Sequence, residues 1–198
     1  MSTPVAAIVR RVIALSAERP TVLVAIDGHG GSGKTTLAAD LATALQDSGL
    51  PASVVSFDEF YLPRAQRLPG SPAEKPIGAD YDWARLRDQV LAPLRMGTAA
   101  RYDRYDWRQD AFDGVGEAGP EGVVIVEGIY SSRREIADLY DLRIWVECPR
   151  ELRLRRGIRR DGEGARGIWE NDWMPSEDLY VEVQRPREHA HVIVDGCE

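Results

Sequence analysis

A doubly wound α/β fold, a parallel sheet with helices on both faces, is what this sequence predicts, and three observations carry the prediction. Short apolar runs rich in β-branched residues recur at 21–27, 52–57, 122–128, 142–147 and 191–194, the pattern of strands buried on both faces. Segments with apolar residues at helical spacing lie between them. The first run enters a glycine-rich turn that leads straight into one of those segments, the order in which a βαβ unit begins.

Taken in order, Thr3-Pro4 precedes Val5, Ile8, Val9, Val12, Ile13 and Leu15. This predicts a helix capped by Thr3, with Pro at the first helical position where its missing N–H is harmless, packed on the sheet. Thr21 to Asp27 is the first strand, and Lys34 to Gln46 follows as a helix with one buried stripe, Leu37, Ala38, Leu41 and Leu45. Ala52 to Phe57 is the second strand, ending in Asp58-Glu59. Ligands of open parallel sheets gather at the carboxyl ends of strands, so this acidic pair is expected at the ligand. Residues 62–80 hold Pro63, Pro69, Gly70, Pro72, Pro76 and Gly78 and read as a long irregular loop, a kind of segment that is often functional.

A helix is expected from Trp83 to Met96, then a small hairpin or irregular arm from Ala99 to Trp107. Gly122 to Gly128 is a third buried strand with Glu127 near its carboxyl end, and Leu142 to Glu147 a fourth. A helix opens at Pro149 and carries Arg153, Arg155, Arg156, Arg159 and Arg160; another is expected over Glu177 to Gln184, before a last strand at His191 to Val194. No internal repeat, low-complexity tract or heptad pattern is present, and 198 residues suit one domain, 1–198.

Hydrophobic residues at 43% and charged residues at 29% are those of a globular protein. A net charge of -7 argues against a general nucleic-acid binder. No apolar run approaches a bilayer span and no cleavable signal pattern is seen, so a cytoplasmic location without membrane contact is expected. Cys148 and Cys197 match neither a disulfide framework nor a metal-ligand spacing.

The chemistry concentrates in Gly28-His29-Gly30-Gly31-Ser32-Gly33-Lys34-Thr35, which has the spacing of a phosphate-binding P-loop, with Thr36 following. Glycines let successive N–H groups turn inward around phosphate oxygens, Lys34 adds a mobile positive charge and Thr35 offers Mg²⁺ a hydroxyl. The helix that follows aims its positive end at the same place. Phosphoryl transfer asks for positioning and charge neutralisation. Lys34 and the loop amides would hold the β- and γ-phosphates of ATP, and Thr35 with Glu127 the Mg²⁺. Asp58 would accept a proton from a substrate hydroxyl. Glu127 also reads as a solvated strand-end acid, and Asp58 as a turn cap or metal ligand. Arg159, Arg160 and Arg166, beside Asp161-Gly162-Glu163-Gly164, form either a lid over 157–172 that clamps transferring phosphate or a solvated basic face. Tyr61, Tyr81, Trp83, Tyr102, Tyr105 and Trp107 are free to stack on a base or to pack.

These residues resemble the uridine kinase family of P-loop kinases, relatives of the phosphoribulokinases and pantothenate kinases. The likeness lies in Ile26-Asp27-Gly28, Ser56-Phe57-Asp58-Glu59-Phe60-Tyr61, Tyr81-Asp82-Trp83, Tyr105-Asp106-Trp107, Val124-Ile125-Val126-Glu127-Gly128-Ile129 and Arg159-Arg160-Asp161. The resemblance implies a P-loop kinase fold with a small lid, Asp58 as general base, Glu127 at the metal, Asp82 on ribose hydroxyls and Arg160 and Arg166 in the lid, with Tyr61 and Tyr105 at the substrate. Two elements depart from the family. The histidine that follows Tyr-Asp-Phe in uridine kinases and helps recognise the pyrimidine is missing from Tyr105-Asp106-Trp107-Arg108-Gln109-Asp110, and the lid's Glu-Arg-Gly-Arg is Ala165-Arg166-Gly167-Ile168. The expectation is an ATP- and Mg²⁺-dependent kinase acting on a hydroxyl of a nucleoside-like small molecule. Another small metabolite, a vitamin precursor or a sugar, is the alternative acceptor. A homo-oligomer is compatible with the sequence. A regulatory GTPase lacks its Asn-Lys-x-Asp element here, and the intact Lys34, Thr35, Asp58 and Glu127 argue against a binding protein without catalysis.

Overall fold

Alternation within the strands decides the architecture of the computed structural model, which describes residues 3–197. In β1 (Thr21–Asp27), Val22, Val24 and Ile26 enter one core, while Leu23 and Ala25 enter a second on the opposite face. In β5 (Gly122–Glu127), Val123 and Ile125 join the first and Val124 and Val126 the second. A strand whose every side chain is apolar must be covered on both sides. The chain covers it with α1 (Thr3–Ser16) and α2 (Lys34–Asp47) on the first face, through Ile8, Val12, Leu37, Leu41 and Leu45. The second face takes Leu86, Val90, Leu94 and Tyr180.

The sheet has five parallel strands in the order β2-β5-β1-β6-β7, with β2 at Ala52–Ser56, β6 at Leu142–Glu147 and β7 at Val192–Asp195. The doubly wound α/β fold of the sequence reading is therefore the observed one. From β1 the chain passes to β2 on one side, and from β5 it crosses to β6 on the other, so the connections diverge around β1. That divergence opens a crevice at the strands' carboxyl ends.

The helix over 83–95 consists of α3 (Trp83–Leu86), a π-helical turn at Arg87–Leu91 and α4 (Ala92–Arg95). Residues 62–80 are irregular apart from 3₁₀ turns at Arg64–Gln66 and Pro72–Glu74. The arm beyond residue 99 is a full hairpin, β3 (Ala100–Asp106) against β4 (Ala111–Ala118), longer than the sequence signalled. The arginine-rich helix is α5 (Arg150–Asp161), and after Gly162 and a 3₁₀ turn at Glu163–Ala165 the chain re-enters helix at α6 (Arg166–Ile168). A π-helical turn at Trp169–Trp173 joins it to α7 (Met174–Gln184), so the last helix begins well before Glu177. The capping role expected of Thr3 concerns a side chain outside those described.

Candidate active site

A cavity of about 620 Å³ lies at the carboxyl ends of β1, β2 and β5. Its floor is the P-loop. Gly28, Gly31 and Gly33 adopt φ of 151°, 73° and 106°. A Cβ on Gly28 would come within 2.5 Å of the Val146 carbonyl, and one on Gly31 within 2.6 Å of the Arg153 carbonyl. Both the backbone angles and the close approach exclude side chains. Gly33 precedes α2 with no side-chain cap, so that among the described residues no side chain caps the first-turn amides of α2 at the cavity. Gly30, Gly31, Gly33, Lys34, Thr35 and Thr36 line it. Gly28 and Ser32 do not: Ser32 is fully buried, its N–H bonds to the His29 carbonyl at 3.2 Å, and its hydroxyl has no partner among the described residues. The Lys34 ammonium is parked on the His29 carbonyl at 2.9 Å.

Both carboxylates expected at the strand ends face this floor. Glu127, at the tip of β5, accepts from the Thr35 hydroxyl at 3.3 Å and the Ser56 hydroxyl at 3.0 Å. Burial pushes its pKa up and so does the charge of Asp58, while Lys34 pulls it down. Asp58, just past β2, is open to the cavity but walled by protein; withdrawal from bulk water raises its pKa, and Lys34 and then Arg160 oppose this. The Tyr81 hydroxyl donates to Asp58 at 3.4 Å. Glu59, expected at the ligand alongside Asp58, turns away to accept from Tyr102 and Arg104 of β3 at 2.9 and 2.7 Å, because successive residues of a 3₁₀ turn project in different directions.

The third wall comes from the C-terminal helices, whose side chains carry the weakest local signal in the sequence. Glu177 on α7 is 6% exposed and accepts from the Gly30 N–H at 3.0 Å, with Arg153 of α5 3.6 Å away. Arg156 ties the loop to the chain just past β7, donating to the Gly31 carbonyl at 3.4 Å and the Gly196 carbonyl at 2.7 Å. Arg153, Arg156 and Arg160 fall on one face of α5 by helical spacing, and that periodicity was the available signal. Trp169 is buried against Gly157, where a Cβ would stand 2.4 Å from its ring, and its Nε1 donates to Asp161 at 2.9 Å. Arg160 lines the cavity and pairs with Asp161 at 2.7 Å.

Besides Gly28, Ser32 and Glu59, three residues expected at the acceptor or in the lid are not brought to the cavity. Asp82 caps α3, accepting from the Arg85 N–H at 2.9 Å, and the role its charge serves there is local. Tyr105 lies behind Tyr61 and Trp107 and donates to Asp110 at 2.6 Å. Arg166 is exposed, paired with Glu163 and Glu170 on its own segment at 2.5 and 3.2 Å. Tyr61 does line the cavity, stacked on Trp107 with ring centroids 4.4 Å apart. Tyr102 and Trp83 are packing residues, against Phe60 and beside Arg133.

Glu177 gives the site a pH signature. Burial raises its pKa from 4.5 to about 7, with Lys34, the Gly30 N–H and Arg153 pulling the other way. The folded chain keeps a proton there that the unfolded chain has released, so this group favours folding below the unfolded pKa and loses that contribution as pH climbs through 7. Glu177→Gln should therefore gain stability relative to the parent between about pH 5 and about pH 8, by on the order of 2 kcal/mol. Denaturant unfolding of both proteins at the two pH values measures it, and an equal difference at both contradicts it.

The model of the phosphoribulokinase/uridine kinase family matches residues 23–195. A uridine kinase of Mycoplasma pneumoniae is 32% identical over 193 residues, spanning 89% of this chain and 86% of its own. One from Halobacterium salinarum is 28% identical over 189 residues, 88% and 80% respectively. Among solved structures, a possible uridine kinase from Bacillus stearothermophilus superposes with a TM-score of 0.78 over 97% of both chains at 22% identity, a likeness of fold. A protein provisionally assigned as a fructose transport system kinase, from Silicibacter sp. TM1040, superposes with a TM-score of 0.77 over 97% of this chain and 99% of its own, at 26% identity. No helix among the described residues is long and apolar enough to cross a membrane.

Proposed function

Because this chain belongs to the phosphoribulokinase/uridine kinase family, we propose that it transfers the γ-phosphoryl group of ATP, with Mg²⁺, to a hydroxyl of a nucleoside-like small molecule. It is a small-molecule kinase, a phosphotransferase with an alcohol acceptor. One observation carries the finer reading: the ends of three neighbouring strands bring Lys34, Asp58 and Glu127 to one cavity.

Each residue has a task that its surroundings support. The first-turn amides of α2 and the Lys34 ammonium, released from the His29 carbonyl, neutralise the β- and γ-phosphates. Asp58 takes the proton of the acceptor hydroxyl as the new bond to phosphorus forms, and its raised pKa suits that exchange. Arg160, whose guanidinium is close enough to lower the Asp58 pKa, would neutralise charge that builds up on the transferring group. Closure of 157–172, bringing in Arg166, is part of this proposal.

Thr35 and Glu127 fit Mg²⁺. A hydroxyl and one carboxylate, with Asp58 close enough to raise the Glu127 pKa, form a locally negative oxygen set, and Mg²⁺ favours few protein ligands and several waters. The ion would supply neutralisation of phosphate charge.

A specific observation favours a second acceptor class. Tyr61 and Trp107 stack on each other, Asp110 is committed to Tyr105 and Arg67, and no histidine stands between 107 and 110, so the base-reading histidine of uridine kinases has no counterpart in that hairpin. A sugar or another small alcohol then fits as well as a nucleoside. Sites that lack such hydrogen bonds discriminate weakly, so uridine should be a poor or unselective acceptor. Acceptor-dependent ADP release, compared as kcat/KM for uridine, cytidine, adenosine and several non-nucleoside alcohols, tests this. A strong preference for uridine and cytidine over all others would overturn it.

A further inference from the structure

We infer that Glu177 meets the bound nucleotide as a neutral carboxylic acid, donating a hydrogen bond to a phosphate oxygen, so that nucleotide binding takes one proton from solution. This role rests on the reading above that the cavity takes ATP, and it adds a group from α7 to the same site.

The contacts of Glu177 fix its place. It lines the cavity together with Gly30, Gly31, Gly33 and Lys34, the P-loop residues that floor it. Its Oε2 accepts from the Gly30 N–H at 3.0 Å, and a Cβ on Gly30 would stand 2.7 Å from its Oε1. The same Cβ would stand 3.0 Å from the Trp169 ring, so the carboxyl and the indole press on one side of a single P-loop residue.

As an anion this carboxyl is poorly served. Among the described residues its one hydrogen bond is that from Gly30, whereas a carboxylate has about four acceptor positions. Lys34 of α2 and Arg153 of α5 favour the ionised form, and Asp178 of α7 opposes it. Arg153 stands 3.6 Å away, and its Nη1 has no hydrogen-bond partner among the described residues. Tyr81, before α3, and Tyr130, after β5, also feel the charge of Glu177, and burial keeps both as neutral phenols. Withdrawal from water outweighs the two cations and sets the carboxyl at about 7.

A triphosphate moves that balance in one direction. It brings several negative charges to the floor beside Glu177, and it draws to itself Lys34, the charge that does most to keep the carboxyl ionised. Both changes raise the carboxyl's pKa further. The neutral acid then suits its place: one oxygen keeps the Gly30 N–H, and the other carries a proton that a phosphate oxygen accepts. The ionised form would set a buried carboxylate against phosphate with only Arg153 left to offset it.

Calorimetric titration of the full chain with ATP and Mg²⁺, without acceptor, in buffers of different ionisation enthalpy counts the protons taken up. The parent and Glu177→Gln are compared at pH 6 and pH 8.5. Gln keeps an oxygen for Gly30 and donates from its amide as the neutral acid would, and the protons that ATP itself exchanges cancel in the comparison. At pH 8.5 the parent should take up close to one proton more per nucleotide than Glu177→Gln, and at pH 6 no more than the variant does. Between these pH values its Kd for ATP should rise at least about 10-fold relative to that of the variant. Proton uptake and pH dependence that are the same in the two proteins overturn the inference and leave Glu177 as a brace for the P-loop. Should the variant not fold, the parent decides alone: uptake that does not grow from pH 6 to pH 8.5 overturns the inference. ATP that binds neither protein at either pH overturns the nucleotide reading itself, and this role with it.

Discussion

Lys34→Ala should lower phosphoryl transfer by about 10³-fold or more while the fold survives. The ammonium is the P-loop's own counter-charge, and in this structure it is held by one backbone carbonyl, ready to move to a stronger partner. Withdrawn from water, a single positive charge on transferring phosphate is worth several kcal/mol. The fold does not depend on it, because α2 is anchored by Leu37, Leu41 and Leu45 and Ala is a good helix former at its first position. Circular dichroism and thermal unfolding check the fold; turnover with ATP and the best acceptor checks the chemistry. Near-parent turnover in a folded Lys34→Ala protein removes the P-loop lysine from the mechanism.

Asp58→Asn should lower kcat by roughly 10²-fold or more and leave ATP affinity nearly intact. Asn keeps the shape and can still accept from Tyr81, so what is lost is the ability to take a proton. The alternative assignment, Asp58 as a metal ligand, makes the opposite forecast: weaker Mg²⁺-ATP binding with catalysis retained at saturation. Nucleotide affinity by titration and kcat at saturating ATP separate the two. The second pattern would move the base elsewhere.

The legible parts of this protein are those encoded locally. A strand, a glycine turn and a helix within 21–47 are contiguous, so the P-loop could be read directly, and Asp58 and Glu127 could be placed because each ends a recognisable strand. Local signals failed where regularity itself breaks. The buried positions Trp169, Met174, Glu177, Tyr180 and Gln184 are separated by five, three, three and four residues, and the step of five spans the π-helical turn that a 3.6-residue period cannot follow. Strand β4 was missed because it is mostly exposed and glycine-bearing. Gly116 is there to admit the Tyr102 ring, which would stand 2.2 Å from a Cβ, and that contact depends on pairing with β3.

The missed site residues share one cause. Glu177 meets Gly30 across 147 positions of chain, and no pattern near residue 177 announces it. Asp82 looked like a ligand because its neighbours match a family element, yet the start of α3 uses its carboxylate, while Asp80 two residues earlier lines the cavity. A shift of two residues in a loop exceeds the resolution of sequence reasoning, since only the fold decides which carboxylate faces inward.

Whether this protein moves a γ-phosphoryl group to an alcohol is decided by tracing that group. ATP carrying a labelled γ-phosphate is incubated with Mg²⁺, the parent protein or Asp58→Asn, and each of a set of nucleosides, free sugars and simple alcohols. Label should pass to one class of hydroxyl compound, with one ADP released per phosphorylated acceptor, and this transfer should be strongly reduced in Asp58→Asn. Label appearing only as inorganic phosphate, at a rate no hydroxyl compound changes and Asp58→Asn does not lower, would contradict it.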